Sequence, residues 1–382
     1  MKILMLNYEF PPIGGGAGKA HLCMLKEFAG NNSLAIDVLT SAPQPGFNVE
    51  DFSDNITIYK VGVHKKNLHF WRKIEVIEWL VKARIHYRRL LRDSDYDLVH
   101  AFFGFPTGWL CYRTAGKLPY IISLRGSDVP GYNIRLGLDY KLMSGLFRKI
   151  WSSAAVVVAN SSGLRNLALE FMPGLDIRII PNGIDTEKFH PSKKQSFTKP
   201  IQVLMVGRLI SRKRIDLLLA AVGRTKELGL EIQLNIAGEG NLMRPLQKLA
   251  NELNVADRVS FMGRVPAERM PQLYRDNDIF VMSSDHEGMS NAMLEAMASG
   301  LPIITTRCEG VEELMVDNGI IVEHPDRKDI AAAIRTLSQD RQAYNSFSAA
   351  SRKRAASFTW FSVTDRYIEL YKKVINNKKS NY

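Results

Sequence analysis

The sequence predicts an α/β protein made of two Rossmann-like, doubly wound domains, each a mostly parallel sheet covered by helices. Three observations carry this. Short apolar runs alternate with longer stretches of helical periodicity, the runs fall into two sets, and a segment rich in Pro, Gly and Lys divides them. At 382 residues the chain is also too long for one comfortable core.

In the first half the candidate strands are KILMLN, AIDVLT, ITIYKV, DLVHAF, YIISL and AAVVVAN. In the second they are IQVLMVG, IQLNIAG, VSFMG, DIFVMSS, PIITT and GIIV. Between them PNGIDTEKFHPSKKQSFTKP reads as a linker, which sets domains at 1–182 and 183–358. The stretch FTWFSVTDRYIELYKKVINNKK reads as a last helix, 359–382, with Phe361, Tyr367, Leu370 and Tyr371 available for packing and a polar, frayed tail. Sheets of this kind bind ligands beyond the carboxyl ends of their strands. A site in a cleft between the domains is therefore expected.

Composition narrows the class. With 46% hydrophobic and 24% charged residues this is an ordinary globular chain. Cys23, Cys111 and Cys308 lack metal-ligand spacing, so reduced thiols in the cytoplasm are expected. Glu9 and two prolines interrupt the first apolar run before a signal-peptide core is complete, and no stretch reaches the roughly 20 apolar residues of a membrane helix.

The net charge of +12 points to anionic partners. Residues 60–92 hold ten Lys or Arg against Glu75 and Glu78, interleaved with Phe70, Trp71, Trp79 and Tyr87. That pattern suits an anionic membrane surface at the inner face of the cell membrane, or nucleic acid. The favoured reading packs the stripe Ile74, Ile77, Val81 and Ile85 on a sheet and leaves the cations to water. Pure surface binding leaves the second half of the chain unexplained, and nucleic acid is not expected.

Two acids mark the site. Glu287 follows the strand DIFVMSS, and Glu295 lies in NAMLEAMA, strong helix formers behind the capping types Ser290 and Asn291. Free backbone N–H groups and the positive helix end point into such a turn, which favours a polyhydroxylated anion. A glycosidase pair needs carboxylates about 5 to 9.5 Å apart, whereas eight positions of continuous helix span about 12 Å, so separate tasks are preferred.

Other loops follow strand ends. Arg208 and Lys213 in MVGRLISRK can neutralise a diphosphate, Arg by a planar fork and Lys as a point charge. Gly14, Gly15 and Gly16 allow close backbone approach, although Ile13 and Ala20 rule out a Walker loop and Lys19 a dinucleotide fingerprint. Arg125, Ser127 and Asp128 in LRGSD could orient a substrate hydroxyl, with a structural turn an almost equal alternative. Asp93, Asp95 and Asp97 precede their strand and read as a solvated turn. His286-Glu287 is no zinc motif, because position 290 is Ser.

Together the GGG loop, PNGIDTEKF, GRLISRK, IAGEG, FMGRV and EGMSNAMLEAMASGLPIITT resemble the retaining glycosyltransferases of family 4, which have the GT-B fold. The resemblance implies sugar transfer from a nucleotide sugar, UDP- or GDP-linked, to a glycan or lipid-linked hydroxyl in cell-surface polysaccharide, O-antigen or lipopolysaccharide synthesis. It implies that Arg208 and Lys213 hold the diphosphate, Glu287 meets sugar hydroxyls, and Gly288, Met289, Ser290 and Asn291 approach the distal phosphate and sugar. Glu295 then takes the ribose, Gly238 to Gly240 and Val265 lie near the nucleotide, and Gly15 and Gly16 approach the diphosphate. Arg208, Lys213 and Glu287 are the catalytic candidates, with no cofactor and no metal expected. The last helix would cross back to the first domain, which takes the acceptor. Arg125 stands where many relatives have His, Arg214 where Gly often follows the Lys, and Met289-Ser290 where Phe-Gly is common. A nucleotide-sugar epimerase on the same fold is the alternative enzyme.

Overall fold

The computed structural model describes residues 1–68, 70–133, 136–192 and 199–379. The chain forms two compact units, Met1–Gly183 with Trp360–Tyr382, and Ile184–Thr359.

The first unit contains β1 (Lys2–Asn7), β2 (Ala35–Ala42), β3 (Phe47–Ser53), β4 (Ile56–Gly62), β5 (Leu98–Phe102), β6 (Tyr120–Ser123), β7 (Val156–Ala159) and β8 (Ile177–Ile179). Their order is β3-β4-β2-β1-β5-β6-β7-β8, parallel except where β3 runs against β4. The interior strands β1, β5 and β6 are mostly apolar and buried along nearly their whole length because helices cover both faces. The second unit contains β9 (Ile201–Val206), β10 (Ile232–Ala237), β11 (Val259–Gly263), β12 (Ile279–Met282), β13 (Ile303–Thr306) and β14 (Gly319–Val322). Their order β11-β10-β9-β12-β13-β14 is wholly parallel. It reverses between β9 and β12, and at such a point adjacent loops diverge and leave a crevice.

All twelve expected strands are present, with β3 and β8 in addition. The helix Trp360–Lys379 belongs to the first unit, where His100 Nδ1 lies 2.7 Å from Tyr371 Oη and Ser123 Oγ lies 3.0 Å from Tyr367 Oη. Tyr367, Leu370 and Tyr371 are buried there as expected, but Phe361 is 73% exposed. The helix offers one apolar face, and Phe361 lies outside it. The expected polar tail at 380–382 lies outside the described residues.

Two further expectations are corrected. Part of the expected linker is core: Ile184 and Phe189 are buried in the second unit, and the Arg352 guanidinium donates to Thr186 O at 3.1 Å and to Phe189 O at 2.9 Å. The linker centre, 193–198, lies outside the described residues. In the helix Lys73–Asp93 the stripe Ile74, Ile77, Val81 and Ile85 faces outward, at 64, 54, 60 and 66% exposure. Glu75, Trp79, Ala83, Tyr87 and Leu90 form the buried face instead. Both sets recur at helical spacing, and the face carrying Trp79 and Tyr87 is the one that packs into the core. Glu75 follows because Lys65 Nζ at 2.8 Å and Arg72 Nε at 2.7 Å satisfy it. No helix among the described residues is long and apolar enough to cross a membrane.

Candidate active site

In the second unit the loops after β9 and β12 meet at the reversal of strand order. Ser283 Oγ donates to Lys213 O at 2.9 Å, and Asp285 N donates to Arg212 O at 2.8 Å. Arg214, between Lys213 and the helix Ile215–Glu227, has φ 46, a left-handed backbone that Gly adopts more readily than other residues. Its guanidinium holds the turn by contacts to Asp216 at 3.2 Å and Asp285 at 3.4 Å.

The stitched loops bring Lys213 to Glu287 as a direct ion pair with side chains only 9 and 16% exposed. Diphosphate cation and sugar-binding acid, expected as separate groups, are thus partners. Burial by itself would raise the Glu287 pKa, but the positive charges of Lys213, Arg212 and Arg208 outweigh it and hold the carboxyl below its ordinary value. Three cations therefore surround one ionised carboxylate. Arg208 is exposed at the end of β9, and its side chain makes no hydrogen bond or ion pair among the described residues. Burial, with Glu287 and Glu309 beside it, pushes the Cys308 thiol up to about 12, which leaves it protonated at neutral pH.

Beyond the acid, Ser290 Oγ accepts from Met293 N at 3.2 Å and caps the helix Asn291–Ala298. Since that helix starts at Asn291, non-helical chain separates Glu287 from it, and the continuous-helix distance does not apply to the acid pair. Met289 is buried in the unit's core, and Gly288 lies against the loop that follows β13. Glu295 is also buried, with Oε2 accepting from Tyr274 Oη at 2.9 Å, so a solvent-facing helix acid is excluded. Gly238 has φ 146, and a Cβ there would fall 1.9 Å from Gly207 O, a packing reason for Gly whatever binds nearby. Val265 follows β11 and packs on the same core as Met289.

Sequence reasoning missed the strap that shapes the turn. Glu309 accepts from Glu287 N at 2.9 Å and meets His286 Nδ1 at 2.6 Å, while Gly310 N donates to Glu287 O at 2.9 Å. A signal was present, because Glu309-Gly310 repeats the Glu-Gly dipeptide one strand later. A Cβ at Gly310 would lie 1.7 Å from Gly288 O. Gly310→Ala is therefore expected to destabilise by at least about 1 to 3 kcal/mol. It should lower transfer activity with all the charged groups still present, as thermal unfolding and steady-state rates would show.

In the first unit Gly15 precedes the helix Gly16–Phe28, and a Cβ at Gly15 meets nothing within 4 Å. Packing does not demand Gly there, so that backbone is open to approach. Gly18, which drew no notice in the sequence, is required: a Cβ there would meet Glu9 O at 2.7 Å. For Asp128 the structure shows the structural-turn alternative. Its carboxylate is buried and accepts from Gly104 N at 2.7 Å and Arg125 N at 2.9 Å, which fixes the loop rather than a substrate hydroxyl. Ser127 uses its carbonyl to accept from Tyr140 Oη. Arg125 Nη1 donates to Asn182 Oδ1 at 3.0 Å with the guanidinium 4.7 Å from the Phe102 ring centre, while its buried Nε and Nη2 meet no acceptor among the described residues.

Residues 15–188 match the model for Glycosyltransferase Family 4, and residues 186–354 match that for Glycosyl transferases group 1. The lipopolysaccharide core biosynthesis glycosyltransferase LpsE of Rhizobium meliloti is 30% identical over 242 residues, 62% of this chain and 68% of that protein. The chain is a family 4 glycosyltransferase. The family 4 enzyme is also 28% identical over 375 residues to the GDP-mannose-dependent alpha-(1-6)-phosphatidylinositol monomannoside mannosyltransferase of Mycobacterium tuberculosis (CDC 1551 / Oshkosh), covering 92% of this chain and 93% of that protein. Among solved structures, sucrose-phosphate synthase from Thermosynechococcus elongatus superposes with TM-score 0.84 at 20% identity, covering 98% and 99% of the two chains. The two parallel-sheet units are those of the GT-B fold.

Proposed function

We propose that this glycosyltransferase moves a sugar from a UDP- or GDP-sugar to a hydroxyl of a glycan or lipid-linked acceptor, with retention at the anomeric carbon. The supporting observation is the convergence of Arg208, Arg212 and Lys213 on Glu287. Such a cluster offers positive charge to a departing diphosphate and a carboxylate to sugar hydroxyls. The similar Mycobacterium tuberculosis protein is named for GDP-mannose and a phosphatidylinositol mannoside, and that of Rhizobium meliloti for lipopolysaccharide core biosynthesis. Those names favour a role in cell-surface polysaccharide, O-antigen or lipopolysaccharide synthesis. The basic, aromatic-rich residues 60–92 would meet the inner face of a membrane.

In the step itself the bond from the anomeric carbon to the diphosphate breaks and one to the acceptor oxygen forms on the same face. The acceptor proton passes to the departing phosphate oxygen. Negative charge grows on the diphosphate, where Arg208, Lys213 and backbone N–H groups around Gly288 to Asn291 stabilise it without a metal or cofactor. Glu287 orients the sugar, and Glu295, braced by Tyr274, takes the ribose. In the first unit we place a phosphate at the open backbone of Gly15 and its neighbour Gly16, and a substrate oxygen at Arg125.

A panel of nucleotide sugars tests the donor. The right one should raise Tm, with about 2.7 kcal/mol of stabilisation at a hundredfold excess over Kd, and Glu295→Gln should reduce that rise. NMR of the product should show the donor's anomeric configuration kept. Inversion, or a panel without effect on Tm, would count against the proposal.

A further inference from the structure

The long basic helix of the first unit borders a cavity of about 150 Å³. Arg84, Tyr87 and Arg88 of the helix Lys73–Asp93 line one side, and Trp109, Arg113 and Thr114, from the helix Thr107–Tyr112 and its C-terminal end, line the other. The guanidinium carbons of Arg84 and Arg113 each lie 5.9 Å from the Trp109 ring centre. The wall behind is braced by Tyr87 Oη and Thr114 Oγ1, 2.7 Å apart.

No carboxylate answers these charges. Among the described residues Arg84, Arg88 and Arg113 form no ion pair, whereas Arg89 and Arg92, on the same helix, both meet Asp93, at 3.4 and 2.9 Å. Three like charges around one cavity repel unless an anion joins them. A phosphate fits best, since its oxygens match the planar guanidinium fork and accept from several donors at once.

The neighbouring surface decides what carries the phosphate. Ile74, Ile77, Val81 and Ile85 stand out from the helix as an exposed ridge at i, i+3, i+7 and i+11. At 3.6 residues per turn Arg88 falls between Ile77 and Val81 on that ridge and Arg84 projects from its flank. Free phosphate or nucleic acid offers nothing apolar to cover four aliphatic side chains. An anionic bilayer offers phosphates and acyl chains side by side.

We infer that the cavity lined by Arg84, Arg88, Arg113 and Trp109 binds the phosphate headgroup of an anionic lipid while the isoleucine and valine ridge enters the bilayer beside it. This rests on the reading that residues 60–92 meet a membrane, and it names the site and the chemistry.

Co-sedimentation of the full chain with vesicles of phosphatidylcholine, alone or mixed with phosphatidylglycerol, tests both levels. Wild type should bind the mixed vesicles and not the neutral ones; equal binding overturns the membrane reading and the inference together. The double variant Arg88→Gln/Arg113→Gln should bind mixed vesicles about fivefold more weakly per charge removed. The charge-matched Lys26→Gln/Lys372→Gln, at exposed positions on the helices Gly16–Phe28 and Trp360–Lys379, should lose much less. Equal losses would mean diffuse attraction, which overturns the cavity while the membrane reading stands. Ile77→Ser/Val81→Ser should also lose vesicle binding at unchanged Tm, since both side chains are exposed. Undiminished binding by that variant, or wild-type binding to random DNA that its changes leave intact, overturns the bilayer as occupant.

Discussion

Arg208→Ala is expected to lower kcat/KM about 10²- to 10³-fold while changing the unfolding free energy by no more than about 0.5 kcal/mol. The two halves of that result come from one geometry. Arg208 is exposed at the end of β9 and holds no other side chain among the described residues, so its removal leaves no partner stranded. Its charge nevertheless reaches Glu287 and helps keep that carboxyl ionised. In the proposed role, a group free of structural work beside the leaving diphosphate stabilises the transition state more than the resting fold. Arg208→Lys should recover part of the rate, because a point charge replaces the fork's charge but not its two parallel hydrogen bonds. Steady-state transfer assays beside thermal unfolding check both halves. Near wild-type turnover for Arg208→Ala would remove it from the proposed role.

Strand positions were legible because a strand covered on both faces is predominantly apolar, as β1, β5 and β12 are. The two strands that escaped notice lack that signature. β3, FNVEDFS, is exposed over most of its length at the sheet edge, and β8 has three residues. Helix position was equally readable, yet which face of Lys73–Asp93 turns inward was not. Two stripes share its period, and the sequence alone does not show that Trp79 and Tyr87 find cavities to fill while the isoleucines do not. At the site, Arg208, Lys213 and Glu287 were found by the rule that polar residues just beyond a strand's carboxyl end face the crevice. That rule says nothing of whom they touch. The Lys213–Glu287 pair joins positions 74 residues apart, and Glu309 shapes the turn from a third loop. Asp128 satisfied the same rule and turned out to secure its own loop, since short acids bond nearby backbone readily.

Lys213→Ala should destabilise the fold by about 3 kcal/mol, the lower part of the range for stranding a buried charge, because Arg208 and Arg212 still partly compensate Glu287. Lys213→Ala/Glu287→Ala should be more stable than Lys213→Ala, with a coupling of about 1 to 3 kcal/mol in denaturant titrations. Glu287 has a folded pKa below its ordinary 4.5, so its ionisation stabilises the fold above that pH and the stabilisation is lost as pH falls through the lower folded value. Without Lys213 the folded pKa rises, and the acid-induced loss should begin at higher pH. The same pair sets the order of events at the site. In the proposed mechanism the ammonium held by Glu287 turns to the diphosphate when the donor arrives, which releases the carboxylate for sugar hydroxyls. Glu287→Gln frees Lys213 in advance, so it should bind nucleoside diphosphate more tightly than wild type while kcat falls about 10²-fold or more. Weaker diphosphate binding in Glu287→Gln, measured by calorimetry, would show that the acid assists the cations instead of competing for them.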